Sequence, residues 1–132
     1  MQRLLIAVLF TRSLGVGLVA AQSDHCFKND GLKLRQTISF TLTGNKLEGT
    51  FDVSGYVGAA SAKEFAFTGK REGPVLTIRF KGNVPYTQAP GTHAIRWTLG
   101  QNSLRVPMFG KDHNKHRGYI SYTMSFGKCK EV

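Results

Sequence analysis

From Leu32 to Tyr56 the chain can be read two residues at a time. Leu32, Leu34, Ile38, Phe40 and Leu42 fall on one face, while Lys33, Arg35, Thr37, Ser39 and Thr41 fall on the other; Gln36 interrupts the apolar row. A period of two is the mark of a strand with one buried face. Gly44-Asn45 then supplies two residues tolerant of positive φ, as a tight hairpin requires. Beyond it Leu47, Phe51 and Val53 point inward while Glu48, Thr50 and Asp52 point outward.

The same alternation continues downstream. After the small residues of VGAASAK, a strand from Glu64 to Lys70 turns Phe65 and Phe67 inward, and Arg71-Glu72-Gly73-Pro74 reads as a turn. Val75 to Lys81 sends Leu76, Ile78 and Phe80 one way and Thr77, Arg79 and Lys81 the other. The segment Gly82 to His93 holds two prolines and two glycines and cannot continue a ladder, so it is predicted as a long loop. Ala94 to Leu99 buries Ile95, Trp97 and Leu99. After Gly100-Gln101-Asn102, the strand Ser103 to Phe109 buries Leu104, Val106 and Met108, with Pro107 marking an edge, a bulge or a break in pairing. The charged loop Gly110 to Gly118 leads to a last strand, Tyr119 to Phe126, with Ile120, Tyr122, Met124 and Phe126 inward. The polar run QSDHCFKNDG, Gln22 to Gly31, reads as an irregular lead-in.

Strands that follow one another through short connections, each with one apolar face, must wrap around a single core. The expected fold is therefore all-β: a small antiparallel up-and-down meander of about seven strands forming a closed or nearly closed barrel. In this pattern and in its Gly44-Asn45 hairpin the chain resembles the lipocalin and avidin group of ligand-binding barrels. That resemblance implies an interior able to hold a small apolar molecule. The sequence departs from the lipocalin pattern in lacking a Gly-x-Trp on its first strand, since its one tryptophan, Trp97, lies on the fifth, and no ligand contact carries over. The inward bulk of Phe40, Phe51, Phe65, Phe67, Phe80, Trp97, Met124 and Phe126 points instead to a filled interior or a narrow cavity.

The N-terminus changes how the cysteines are read. Arg3, the apolar runs Leu4 to Phe10 and Leu14 to Ala21, and the small residues Val19-Ala20-Ala21 have the order of a secretory signal peptide, although Arg12 splits the apolar region. Neither run approaches the roughly 20 residues of a membrane-spanning helix. The expected organisation is a signal peptide over 1–21 and one barrel domain over 22–132, secreted or periplasmic after cleavage near Ala21. In an oxidising compartment Cys26 and Cys129 are expected to pair, tying the two ends of the domain together.

Charge adds a direction. The chain carries 18 Lys and Arg against 8 Asp and Glu, a formal net charge of +10, and removal of the leader takes away Arg3 and Arg12 and no acid. Such an excess favours anionic partners or surfaces. Between Glu72 and Asp112 there is no carboxylate, yet Arg79, Lys81, Arg96, Arg105 and Lys111 lie in that interval. Arg79, Lys81, Arg96 and Arg105 share the outward parity of their strands, so neighbouring strands would bring them onto one face suited to phosphate, sulfate or carboxylate groups, with Tyr86 and Phe109 as flanking rings.

Other constellations carry less chemistry. His113 and His116 in the loop KDHNKHR lie among Lys111, Lys115 and Arg117, which repel a cation, so the loop is expected to assist anion binding rather than hold a metal. Glu48 and Asp52 are roughly 13 Å apart along an extended strand, wider than a glycosidase pair, though Glu64 could approach them from the next strand. No nucleophile elbow is present and no cofactor motif is found, so the expectation is a non-enzyme. The predicted function is an exported binding module for an anionic ligand or surface (a polysaccharide, lipid head group or nucleic acid) through Arg79, Lys81, Arg96, Arg105, Tyr86, Lys111, His113, His116 and Arg117. Two alternatives are a protein-protein module, such as an inhibitor of an exported hydrolase using the loop that presents Tyr86 between Pro85 and Pro90 and the charged loop at His113, and a lipocalin-like small-ligand binder.

Overall fold

The structure, a computed structural model, describes residues 21–31, 34–55, 62–111 and 118–130. Eight antiparallel strands follow in chain order and close into a barrel: β1 Gln22–Asp30, β2 Leu34–Thr43, β3 Lys46–Gly55, β4 Lys63–Glu72, β5 Val75–Phe80, β6 Ile95–Leu99, β7 Ser103–Lys111 and β8 Tyr119–Lys128. No described residue is helical. The all-β meander expected from the alternation is thus what forms. Its end bearing Gly44-Asn45, Gly73-Pro74 and Gly100–Asn102 has short turns; the opposite end carries the longer connections. Positive φ at Gly44 (62°) and Gly73 (59°) is what the two tightest turns need.

The count exceeds the sequence expectation by one, because the segment read as an irregular lead-in is β1. It pairs with β2 without a break, from Gln22 opposite Thr43 to Asp30 opposite Arg35. Its inward positions are Ser23, His25, Phe27 and Asn29, of which only Phe27 is fully buried, so no apolar row announces it. The ladder offered by β2, rather than its own side chains, makes it a strand.

Inward side chains fill the barrel. Phe27, Ile38, Phe40, Phe51, Phe67, Leu76, Trp97, Leu104, Val106 and Phe126 are all within 3% of complete burial, and Phe65, Phe80 and Met124 pack against them. Each fully buried large side chain contributes roughly 1.5 to 3 kcal/mol. Aromatic edges meet faces throughout: Phe67 lies 5.1 Å from Trp97 and Phe51 5.9 Å from Phe126, both edge-on. Gly49 sits inward between Phe40 on β2 and Phe67 on β4, and its missing side chain is what lets the strands approach.

Three positions expected to face inward are exposed at the loop end. Ile120 and Tyr122 are 44% and 41% exposed because β1 and β8 pair only at Phe27–Lys128 and Lys28–Gly127, and Leu34, 46% exposed, lies past the last β1–β2 pair, Asp30–Arg35. Beyond that seam β7 and β8 run on together as a ribbon, and Gly110 makes room for the Tyr122 ring. Cys26 and Cys129 form the expected disulfide beside the seam. Pro107 lies past the end of the β6–β7 pairing, which spans Thr98–Arg105 and Leu99–Leu104; there the long loop takes over, Phe109 N–H donating to the Thr87 carbonyl at 3.1 Å. Residues 1–20 of the proposed leader, Leu32, Tyr56 and Asp112 to Arg117 lie outside the described residues.

Candidate anion-binding face

The antiparallel registers convert scattered cations into rows. Gln22, Thr43, Lys46, Lys70, Thr77 and Arg96 stand opposite one another in turn across β1 to β6, one side chain per strand, all outward. With strands about 4.8 Å apart, Lys46 to Arg96 spans about 14 Å. The next row holds Asp24, Thr41, Glu48, Thr68 and Arg79. Arg79 is therefore diagonal to Arg96, and Arg96 diagonal to Arg105, which faces Thr98. Diagonal neighbours are about 7 to 8 Å apart.

Arg79, Arg96 and Arg105 are exposed on one continuous outer face, as their parity implied. Among the described residues none of the three forms a salt bridge to a carboxylate, whereas Lys81, just past β5, lies 3.9 Å from Glu48. Lys111 is exposed at the far end of β7, six residues and about 20 Å along the strand from Arg105, and so belongs to the ribbon rather than to this face. His113, His116 and Arg117 lie outside the described residues.

Tyr86 is a correction. It neither flanks the cations nor projects as an anchor, because the loop turns it into the barrel mouth, where Trp97 Nε1–H donates to its Oη at 2.9 Å. Its ring lies 5.9 Å from Phe51 and 6.3 Å from Phe80. Burial pushes its phenol up to about 12, with the Trp97 hydrogen bond opposing. A large aromatic flanked by prolines is as well suited to plugging a barrel as to reaching a partner. Phe109 stacks on Tyr119 at 5.3 Å, on the ribbon.

A groove of about 1080 Å³ lies over the outside of β3, β4 and β5. Lys46, Glu48, Thr68, Lys70, Thr77 and Arg79 line its floor, and the loop through Val84, Gln88, Thr92 and His93 forms its wall. Lys46 and Lys70 face each other directly, a like-charge pair that disfavours the fold by a few tenths to about 1 kcal/mol. The acid-free interval could not reveal these two lysines, because both lie before it, among the acids of the first half; their outward parity was the available signal.

The carboxylates separate. Glu48 turns to Lys81, whereas Glu64 stands opposite Asp52. Burial, then repulsion from Glu64, raises the Asp52 carboxyl above its ordinary range, and its Oδ1 is covered without a hydrogen-bond partner. At the turn end, His25 stacks on Phe40 at 5.0 Å and is held below its usual range by burial and by Arg71 and Lys128, with Asp24 opposing. Comparison with protein families, with characterised proteins and with solved structures found no match to this chain.

Proposed function

We propose that the protein is an exported, non-enzymatic binding module for an anionic ligand, which it holds on the outer face of the barrel. The observation that carries this reading is the run of exposed, carboxylate-free cations, Arg79, Arg96 and Arg105, set diagonally on adjacent strands. Guanidinium groups spaced this way suit several anionic groups of one ligand, each contact a charge-assisted hydrogen bond. The disulfide is consistent with an oxidising compartment and so with export.

Two observations favour this reading over the alternatives. Of the two loops the inhibitor reading would use, the one at Tyr86 turns its ring inward against Phe51 and Trp97, and the one at His113 lies outside the described residues. The small-ligand reading needed room inside the barrel, where Trp97, Phe51, Phe67 and Phe126 now stand. Retention on heparin and on phosphocellulose, measured across a salt gradient, tests the proposal. The protein with Arg79, Arg96 and Arg105 all changed to Ser should elute at clearly lower salt; equal retention would remove the idea.

A further inference from the structure

We infer that the groove over β3, β4 and β5 takes a linear acidic polysaccharide, with its sulfate or carboxylate groups on Lys46, Lys70 and Arg79. This rests on the anion-binding reading above and names both the ligand class and the place. The first support is linear order: Lys46 and Lys70 are consecutive members of one row running across the strands, and Arg79 is one row along on the next strand. A chain with regularly repeated charges meets such a line repeatedly, and a bound anion relieves the repulsion between the facing lysines.

Shape and chemistry decide against the other polyanions. The loop wall makes the site concave, so a flat lipid headgroup surface cannot reach its floor. Single-stranded nucleic acid is held largely by bases stacking on exposed aromatic rings. The groove offers no exposed Phe, Tyr or Trp among the described residues: Phe80 packs against the core, the His93 imidazole on the wall is a small ring, and Tyr119 and Tyr122 lie on the ribbon. What it does offer between the cations is hydroxyl groups, Thr68 and Thr77 on the floor and Thr41 and Thr43 beside it, together with the Glu48 carboxylate. Hydroxyls donate to and accept from sugar hydroxyls, and the Glu48 carboxylate, its charge offset by Lys81, accepts from them too.

The test titrates the full oxidised protein with a heparin-derived hexasaccharide, a galacturonate hexamer and a dodecathymidylate at one salt concentration. One or both saccharides should bind at least about tenfold more tightly than the oligonucleotide, and the pair identifies whether sulfate or carboxylate is preferred. The double variant Lys46→Ser, Lys70→Ser should lose at least about tenfold in saccharide affinity, the equivalent of one modest charge-assisted contact. A double variant with the same charge change away from the groove, Lys63→Ser, Lys130→Ser, should stay within about twofold of the parent. Far-UV circular dichroism verifies that both fold, as expected for exposed side chains. Oligonucleotide binding as tight as saccharide binding overturns the inference, as does equal loss in the two double variants. If the Arg79, Arg96, Arg105 variant loses heparin retention while the Lys46, Lys70 variant does not, the groove fails and the broader anion-binding reading stands. If no probe binds the parent, both fall.

Discussion

Replacing Cys26 and Cys129 together with Ser tests how the barrel is closed. The β2–β3 hairpin is paired from Leu34–Gly55 to Thr43–Lys46, but the β1–β8 seam has two residue pairs. Beside it, Cys129 N–H donates to the Cys26 carbonyl at 3.0 Å, and Asn29 Nδ2–H to the Ser125 carbonyl at 2.9 Å. The two cysteines are 103 residues apart, so the cross-link removes the loop entropy of almost the whole domain from the unfolded chain, about 4.7 kcal/mol at 25 °C in the chain-entropy treatment. Measured losses for native disulfides in small exported domains run from about 2 to 5 kcal/mol, against a total stability of about 5 to 15. The double variant should therefore unfold at markedly lower urea, losing about 2 to 5 kcal/mol. Trp97, fully buried and the one tryptophan of the chain, reports the transition by fluorescence. A midpoint equal to that of the oxidised parent would refute the reasoning, since the two-pair seam would then close the barrel unaided.

Other substitutions probe the interior and the charges. Gly49→Ala should cost at least about 2 kcal/mol in the same urea assay, because its Cβ would collide with the Ser39 carbonyl and lie 2.6 Å from Phe40 Cβ. Asp52→Asn should raise stability at pH 7 by up to about 1 kcal/mol by ending the repulsion with Glu64. Because the folded carboxyl titrates above its unfolded value of 3.8, folding takes up a proton as pH falls through the raised pKa; the advantage of Asn should shrink there, which urea midpoints at pH 7, 5 and 4 will record. His25 runs the other way: its folded pKa lies below 6.5, so the unfolded chain binds the proton first and stability is lost as pH falls below 6.5. His25→Phe should flatten that part of the stability profile.

The strands with an apolar row were legible because parity alone decides which face is buried. Ile38, Phe40, Leu42, Leu47, Phe51, Phe67, Leu76, Ile78, Leu104 and Val106 all lie inside as the alternation implied. β1 was not legible, since its inward residues are mostly polar and its pairing is a property of β2. The exposure of Ile120 and Tyr122 was hidden for a related reason: parity gives a direction but not the height at which a neighbouring strand stops, and β1 stops short of them. Tyr86 failed for want of tertiary information, as a loop sequence does not say whether its aromatic covers the core or leaves it.

For the candidate site the missing quantity was register. Outward parity placed Arg79, Arg96 and Arg105 on one face, but whether outward residues of different strands stand side by side depends on how far each strand is shifted against the next. The Gly44-Asn45 turn fixes one such shift, putting Thr43 opposite Lys46, and Gly73-Pro74 fixes another, putting Glu72 opposite Val75 and hence Lys70 opposite Thr77. Between these hairpins β3 and β4 are joined by a longer connection that sets no register, so the meeting of Lys46 with Lys70 cannot be computed from local turn chemistry. It follows instead from packing. Phe67 faces Gly49 and Leu47 faces Gly69, each a large side chain against an empty position; a shift by two residues would either set Phe67 against Phe51 and Gly69 against Gly49, or bring Lys63 opposite Phe51. The aromatic core thus selects the register that aligns the two lysines outside.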